Sequence, residues 1–170
     1  MDVMLSDSDI RMFITKYNPS CDVYVYTYNE ILKFKRIEDL VPKRSINWCV
    51  LLLYPWEVEY HNIGHWTCLT GGPDNSISFF DSYGQEIDEV VLAPYNQWLM
   101  RLLIKYKGKI YYNDHALQKM SNTINTCGRY CALWGSAFVN NTIDSFAKKY
   151  YQLCDELNLS TDELAVFLTI

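Results

Sequence analysis

At 170 residues the chain is long enough to bury a substantial core as one domain, 1–170, without disulfide or metal support. Its 49 % hydrophobic and 21 % charged residues are ordinary globular values, which excludes a disordered or fibrous chain. The net charge of −5 excludes a broad basic footprint for nucleic acid, and no run reaches the ~18 apolar residues of a membrane span.

The elements follow in order. Ser6 to Tyr17 opens on helix-capping residues and spaces Ile10, Phe13 and Ile14 at helical intervals, so it predicts a short amphipathic helix ended by Asn18-Pro19. Asp22 to Tyr28 alternates valine, tyrosine and threonine as an edge strand or extended arm. Asn29 to Leu40 fits a helical turn as well as a strand, and the basic residues Lys33, Lys35, Arg36, Lys43 and Arg44 read as solvated surface. Asn47 to Tyr54 is a near-continuous apolar run, the pattern of a strand buried on both faces. Gly64 to Thr70 and Ser76 to Asp81 read as two strands joined by the Gly71–Asn75 turn, a β-hairpin. Glu86 to Tyr106 has helical periodicity bent or started by Pro94, and Lys109 to Asn113 is a short strand. Asp114 to Thr126 is loop or broken helix, Thr126 to Asn140 a buried helix, and Thr142 to Leu157 and Thr161 to Leu168 two more, the last with a Ser160/Glu163 capping box. The sum is an α+β domain: a central, mainly antiparallel sheet flanked by helices.

Met1 to Arg11 holds three aspartates and no apolar run, so it is not a secretory signal. Several of the six cysteines sit inside apolar runs, such as Cys49 and Cys68, which predicts free thiols in a reducing compartment rather than a disulfide framework. One thiol differs. Cys127 follows the polar segment Ser121–Thr126 and opens the buried helix, where a helix dipole favours negative charge, and Gly128 leaves space for another backbone to approach. Cys131, one turn on, reads as core.

A cysteine nucleophile needs a base, a group to orient that base, and donors for an oxyanion. His65, at a strand start between Gly64 and Trp66, is the candidate base; His61 and His115 lie in loop-like surroundings. Asp81 ends the partner strand of the hairpin, beside the start of the strand that carries His65, and is the candidate orienter. The Cys127 N–H supplies one oxyanion donor, and Gln118, with Asn122 or Asn125 as substitutes, supplies a side-chain amide.

Gly64-His65-Trp66, Phe80-Asp81-Ser82-Tyr83-Gly84 and Thr126-Cys127-Gly128-Arg129-Tyr130-Cys131, in that order, resemble the adenovirus-protease (adenain) and SUMO-protease superfamily of cysteine peptidases, and most of all its viral branch. The resemblance implies a viral maturation protease of virion and host cytoplasm. It would cleave capsid or virion precursors at small-residue, Gly-containing sites, with His65, Asp81, Cys127 and Gln118 in the roles above. Gln118 departs from the pattern: it stands nine residues before Cys127, where the family places its glutamine six or seven before. The expected partner is a protein substrate, with no cofactor, no membrane and no main role for nucleic acid. Two other readings stand beside this one. The same triad serves a ubiquitin-like-protein (SUMO or ubiquitin) deconjugating protease. A zinc-stabilised binding module would draw on His61, His65, Cys68, Cys127 and Cys131, although their spacing lacks a Cys-x-x-Cys pair.

Overall fold

The apolar run beginning at Trp48 becomes a central strand, and its alternation divides the core in two. In the computed structural model, which describes residues 3–55, 64–89, 97–121 and 123–170, five strands pair in the order β1-β2-β3-β4-β5. These are β1 (Asp22–Thr27), β2 (Trp48–Pro55), β3 (Gly64–Gly71), β4 (Ser76–Phe80) and β5 (Lys109–Tyr112). The central β2, β3 and β4 are antiparallel, and β1 and β5 add in parallel at the two edges.

On one face, Cys49 and Leu51 of β2, Cys68 of β3 and Phe80 of β4 pack into a cluster with Ile10, Ile14, Tyr130, Trp134 and Phe146. On the other, Val50, Leu52, Leu69, Ile77 and Phe79 pack with Tyr28, Ile37, Leu40, Leu99 and Leu102. Successive strand residues point to opposite faces, so a strand covered on both sides must be apolar throughout.

The first face carries α1 (Asp7–Tyr17) and α4 (Cys127–Ala137), with α5 (Ile143–Leu157) and α6 (Thr161–Leu168) beyond them. Ser6 caps α1 through a reciprocal pair with Asp9, and Ser160 caps α6 with Glu163 as the sequence predicts. Helices α1 and α4 lie close because α4 offers glycine where α1 offers isoleucine. A Cβ on Gly135 would meet Ile14 Cδ1 at 2.6 Å, and one on Gly128 would meet Ile10 Cδ1 at 3.0 Å and Trp66 Cδ1 at 3.3 Å. The space beside Gly128 is therefore filled by side chains, not by the neighbouring backbone that its sequence context suggested.

The second face carries the short α2 (Tyr28–Ile31), a 3-10 turn at Ile37–Leu40 and α3 (Trp98–Ile104). Helix α3 is shorter than its periodicity predicts. Glu86 to Glu89 is a turn, residues 90–96 fall outside the described ones, and Gln97 stands at a left-handed φ of 52°, which no helix continues through. With no side-chain cap from Gln97, the first N–H groups of α3 are met from elsewhere. Met100 N–H donates to Asp88 Oδ2 at 2.8 Å and Leu99 N–H to the Tyr28 hydroxyl at 3.0 Å. Burial raises the Asp88 carboxyl above its ordinary range, against the hydrogen bonds it accepts.

Candidate active site

The β3–β4 ladder runs Gly71↔Ile77 to Cys68↔Phe80. One step further sets Asp81 against Thr67, on the same face as His65 and diagonal to it, within reach of a long side chain. The structure closes that gap: His65 Nε2 lies 2.8 Å from Asp81 Oδ1, and each side chain is at most 2 % exposed. The hairpin thus brings together the two residues that its sequence nominated.

Asp81 is held from three directions. The Tyr83 N–H donates to its Oδ1 at 2.8 Å, and its backbone carbonyl accepts from Asn113 Nδ2 at 2.5 Å and from the Gly84 N–H at 3.0 Å. The turn that makes this possible needs glycine. Gly84 has φ +68°, and a Cβ there would lie 2.8 Å from the His115 carbonyl carbon.

Cys127 is the first residue of α4 and the one half-exposed thiol of six free cysteines, the other five being buried. Its side chain engages the His65 imidazole. Burial alone would push that imidazole down. The Asp81 carboxylate and Cys127 outweigh it and raise the pKa to about 9. That balance favours the charged form of the imidazole. The start of α4 has no side-chain cap, because the Thr126 hydroxyl turns away to donate to Asp162 Oδ1 at 2.5 Å. Asp162, in the first turn of α6, also accepts from Lys119 N–H at 3.0 Å and from the Tyr130 hydroxyl at 3.3 Å. One carboxylate so fixes the residue before the thiol and the residue after Gln118.

Gln118 is buried and joined to the pair through the 81–84 turn. Its N–H and that of Leu117 donate to the Ser82 carbonyl, and Ser82 Oγ donates to its Oε1 at 2.7 Å. Its Nε2 donates to the Tyr83 hydroxyl at 3.2 Å and to the Ile124 carbonyl at 3.3 Å. Of the substitutes, Asn125 is half-buried in the loop before Cys127, and Asn122 lies outside the described residues.

Sequence reasoning missed Tyr83. Its ring stacks on His65 with centroids 4.7 Å apart and 24° between planes, its N–H reaches Asp81, and its hydroxyl receives Gln118. Burial and the nearby Cys127 and Asp81 push its phenol up to about 12, so it stays neutral. Its place two residues after Asp81 was the available signal. Arg129 was also missed: it is buried in α4 and donates to Thr169 Oγ1 at 2.6 Å and to the Val3 carbonyl at 3.1 Å.

The zinc ligand set does not assemble among the described residues. His65 is committed to Asp81, Cys68 and Cys131 are core, and His61 lies outside them. The described side chains that do converge with metal-ligand spacing are Asp114, His115 and Asp144. His115 lies 3.0 Å from Asp144 there, so it is tied down more firmly than its loop setting suggested.

No protein-family model matches the sequence. Among solved structures, the ASFV pS273R protease superposes with a TM-score of 0.51 at 14 % identity, over 84 % of this chain and 61 % of that one. The chain thus spans about three-fifths of that protease, and the likeness is one of fold. The SUMO protease Ulp1 aligns over 98 % of this chain and 78 % of its own at 13 % identity, with a TM-score of 0.39. The architecture, a sheet antiparallel at its centre with a cysteine at the start of a buried helix, is the adenain/SUMO-protease fold. Among curated sequences, the uncharacterized protein V9 of the Sputnik virophage is 34 % identical over 158 residues, spanning 86 % of this chain and 85 % of that protein. At that identity and coverage, the chain belongs to the same family as the Sputnik virophage protein V9.

Proposed function

We propose that the protein is a cysteine endopeptidase acting through Cys127, His65 and Asp81. One observation carries the reading: a buried imidazole, 2.8 Å from a buried carboxylate, engages a half-exposed thiol at the first turn of a helix. Nε2 is taken by Asp81, so Nδ1 holds the proton exchanged with sulfur. The thiolate attacks a peptide carbonyl, and the C=O electron pair moves onto oxygen. The Cys127 N–H and the amide of Gln118 receive that oxyanion. Because Gln118 Nε2 rests on Tyr83 and Ile124, it turns toward the substrate oxygen when the oxyanion forms. The C–N bond then breaks, and the His65 proton passes to the leaving amine. Water, deprotonated by His65, hydrolyses the thioester and frees Cys127.

The substrates we assign are capsid or virion precursors, cut at small-residue, Gly-containing sites in the virion or host cytoplasm by a single-domain enzyme. Kinship with a virophage protein supports the viral setting. The test is to incubate the purified protein with capsid precursors of its own virus, with SUMO and ubiquitin conjugates in parallel. Cleavage of the precursors, absent in Cys127→Ala, is expected. Cleavage of conjugates alone would replace the substrate, and processing by Cys127→Ala would sink the mechanism.

A further inference from the structure

We propose that the cavity at the far end of the sheet from Cys127 binds a phosphorylated small molecule with a flat apolar body, of the nucleotide class. The cavity measures about 720 Å³ and opens where the Gly71–Ser76 turn meets the end of α3 and the segment 36–46. Its size is that of a small-molecule site. Trp48↔Gly71 and Tyr54↔His65 are opposite ends of one ladder, six residues apart. The cavity and His65 are therefore separated by roughly 20 Å of strand.

Charge marks the cavity out. A chain of net charge −5 gathers Arg36, Arg44, Lys105 and Lys107 among the described lining residues, where Glu38, 3.4 Å from Arg36, is the one carboxylate, with Asp74 of the adjoining turn also acting on Tyr106. The basic stretch between Lys33 and Arg44 is not uniform surface. Lys43 is paired with Asp22 at 3.0 Å and Lys33 lies over the Phe34 ring, whereas Arg36 and Arg44 line the cavity with lysines from sixty residues further on. Arg44 is moreover held at a left-handed φ of 51°, with its N–H donated to the Val41 carbonyl. Non-glycine residues persist there at a cost that surrounding contacts must offset, and they concentrate at ligand clamps.

The apolar part is rigid. The Trp48 indole lies so close over Gly71 that a Cβ there would stand 2.1 Å from its Nε1. The Tyr106 hydroxyl shares its proton between the carbonyl and Oδ1 of Asn75, at 3.1 and 2.9 Å, which ties its ring to the Gly71–Ser76 turn, and Lys105 and Lys107 line the same cavity. Cations flanking fixed aromatic rings suit phosphates joined to a planar ring system.

The test is isothermal titration of the full chain at low salt with ATP and with tripolyphosphate. ATP should bind one-to-one, at least about tenfold tighter than tripolyphosphate, and both should weaken as salt is added. Trp48→Leu should remove the advantage of ATP. Lys105→Gln with Lys107→Gln, at two exposed positions, should weaken both ligands about tenfold or more, and so should Arg44→Gly, which suits the left-handed backbone. No saturable binding, equal affinity for the two probes, or unaltered binding by the lysine variant would each overturn the assignment. The titration can be run on the Cys127→Ala protein, so it stands apart from the peptidase reading.

Discussion

The imidazole of His65 is balanced between a burial that disfavours its charge and two partners that favour it. Its raised pKa of about 9 sets an alkaline limit on a reaction that needs the imidazolium. Activity of the wild type should hold through neutral pH and fall as pH rises through about 9, measured as kcat/KM on a peptide substrate. Asp81→Asn removes the larger of the two favouring partners. We expect kcat/KM about 10²-fold lower, with the alkaline limb moved toward neutrality; an unmoved limb would show that Asp81 does not set the charge of the imidazole. Tyr83 separates two roles in one side chain. Tyr83→Phe keeps the ring on His65 and removes the acceptor for Gln118, and Tyr83→Ala removes both. A kcat loss in alanine well beyond that in phenylalanine would assign the positioning to the stacked ring; equal losses would assign it to the hydroxyl.

Elements, rather than single contacts, put these side chains in register. The turn after β4, the loop 113–118 and the N-termini of α4 and α6 all meet at the site through backbone and carboxylate bonds. Helix α3 is fixed on the other face partly by Asp88, so Asp88→Ala should leave the Met100 N–H and the Tyr54 hydroxyl without their acceptor. A loss of about 1–3 kcal/mol in urea unfolding is expected. The hairpin, the apolar β2 and the capped α1 and α6 were legible because each is written in a local period or a local pair. The cap of α3 was not, because Met100 finds its acceptor twelve residues back, at Asp88, and Leu99 finds its own at Tyr28, seventy-one residues back. Gln118 was legible as a residue type, but its spacing fits only once Ser82 and Tyr83 are seen to hold its amide. The parallel pairing of β1 and β5 could not be read from alternation, which carries no direction.

At the scale of the molecule, the same buried histidine links stability to pH. Its folded pKa of about 9 lies above the ordinary 6.5, so its contribution is complete below pH 6.5 and is lost as pH rises through about 9. Thermal unfolding of the wild type should show Tm falling across that window, and Asp81→Asn should flatten the fall; a Tm independent of pH there would contradict the buried ion pair. The close contact of α1 with α4 has a consequence for descent. Position 135 has no room for a methyl group while position 14 holds an isoleucine that reaches it. Lineages of this family should therefore trade volume between the two sites, alanine or serine at 135 arriving with valine or alanine at 14. The pair would then record shared ancestry more faithfully than either residue alone.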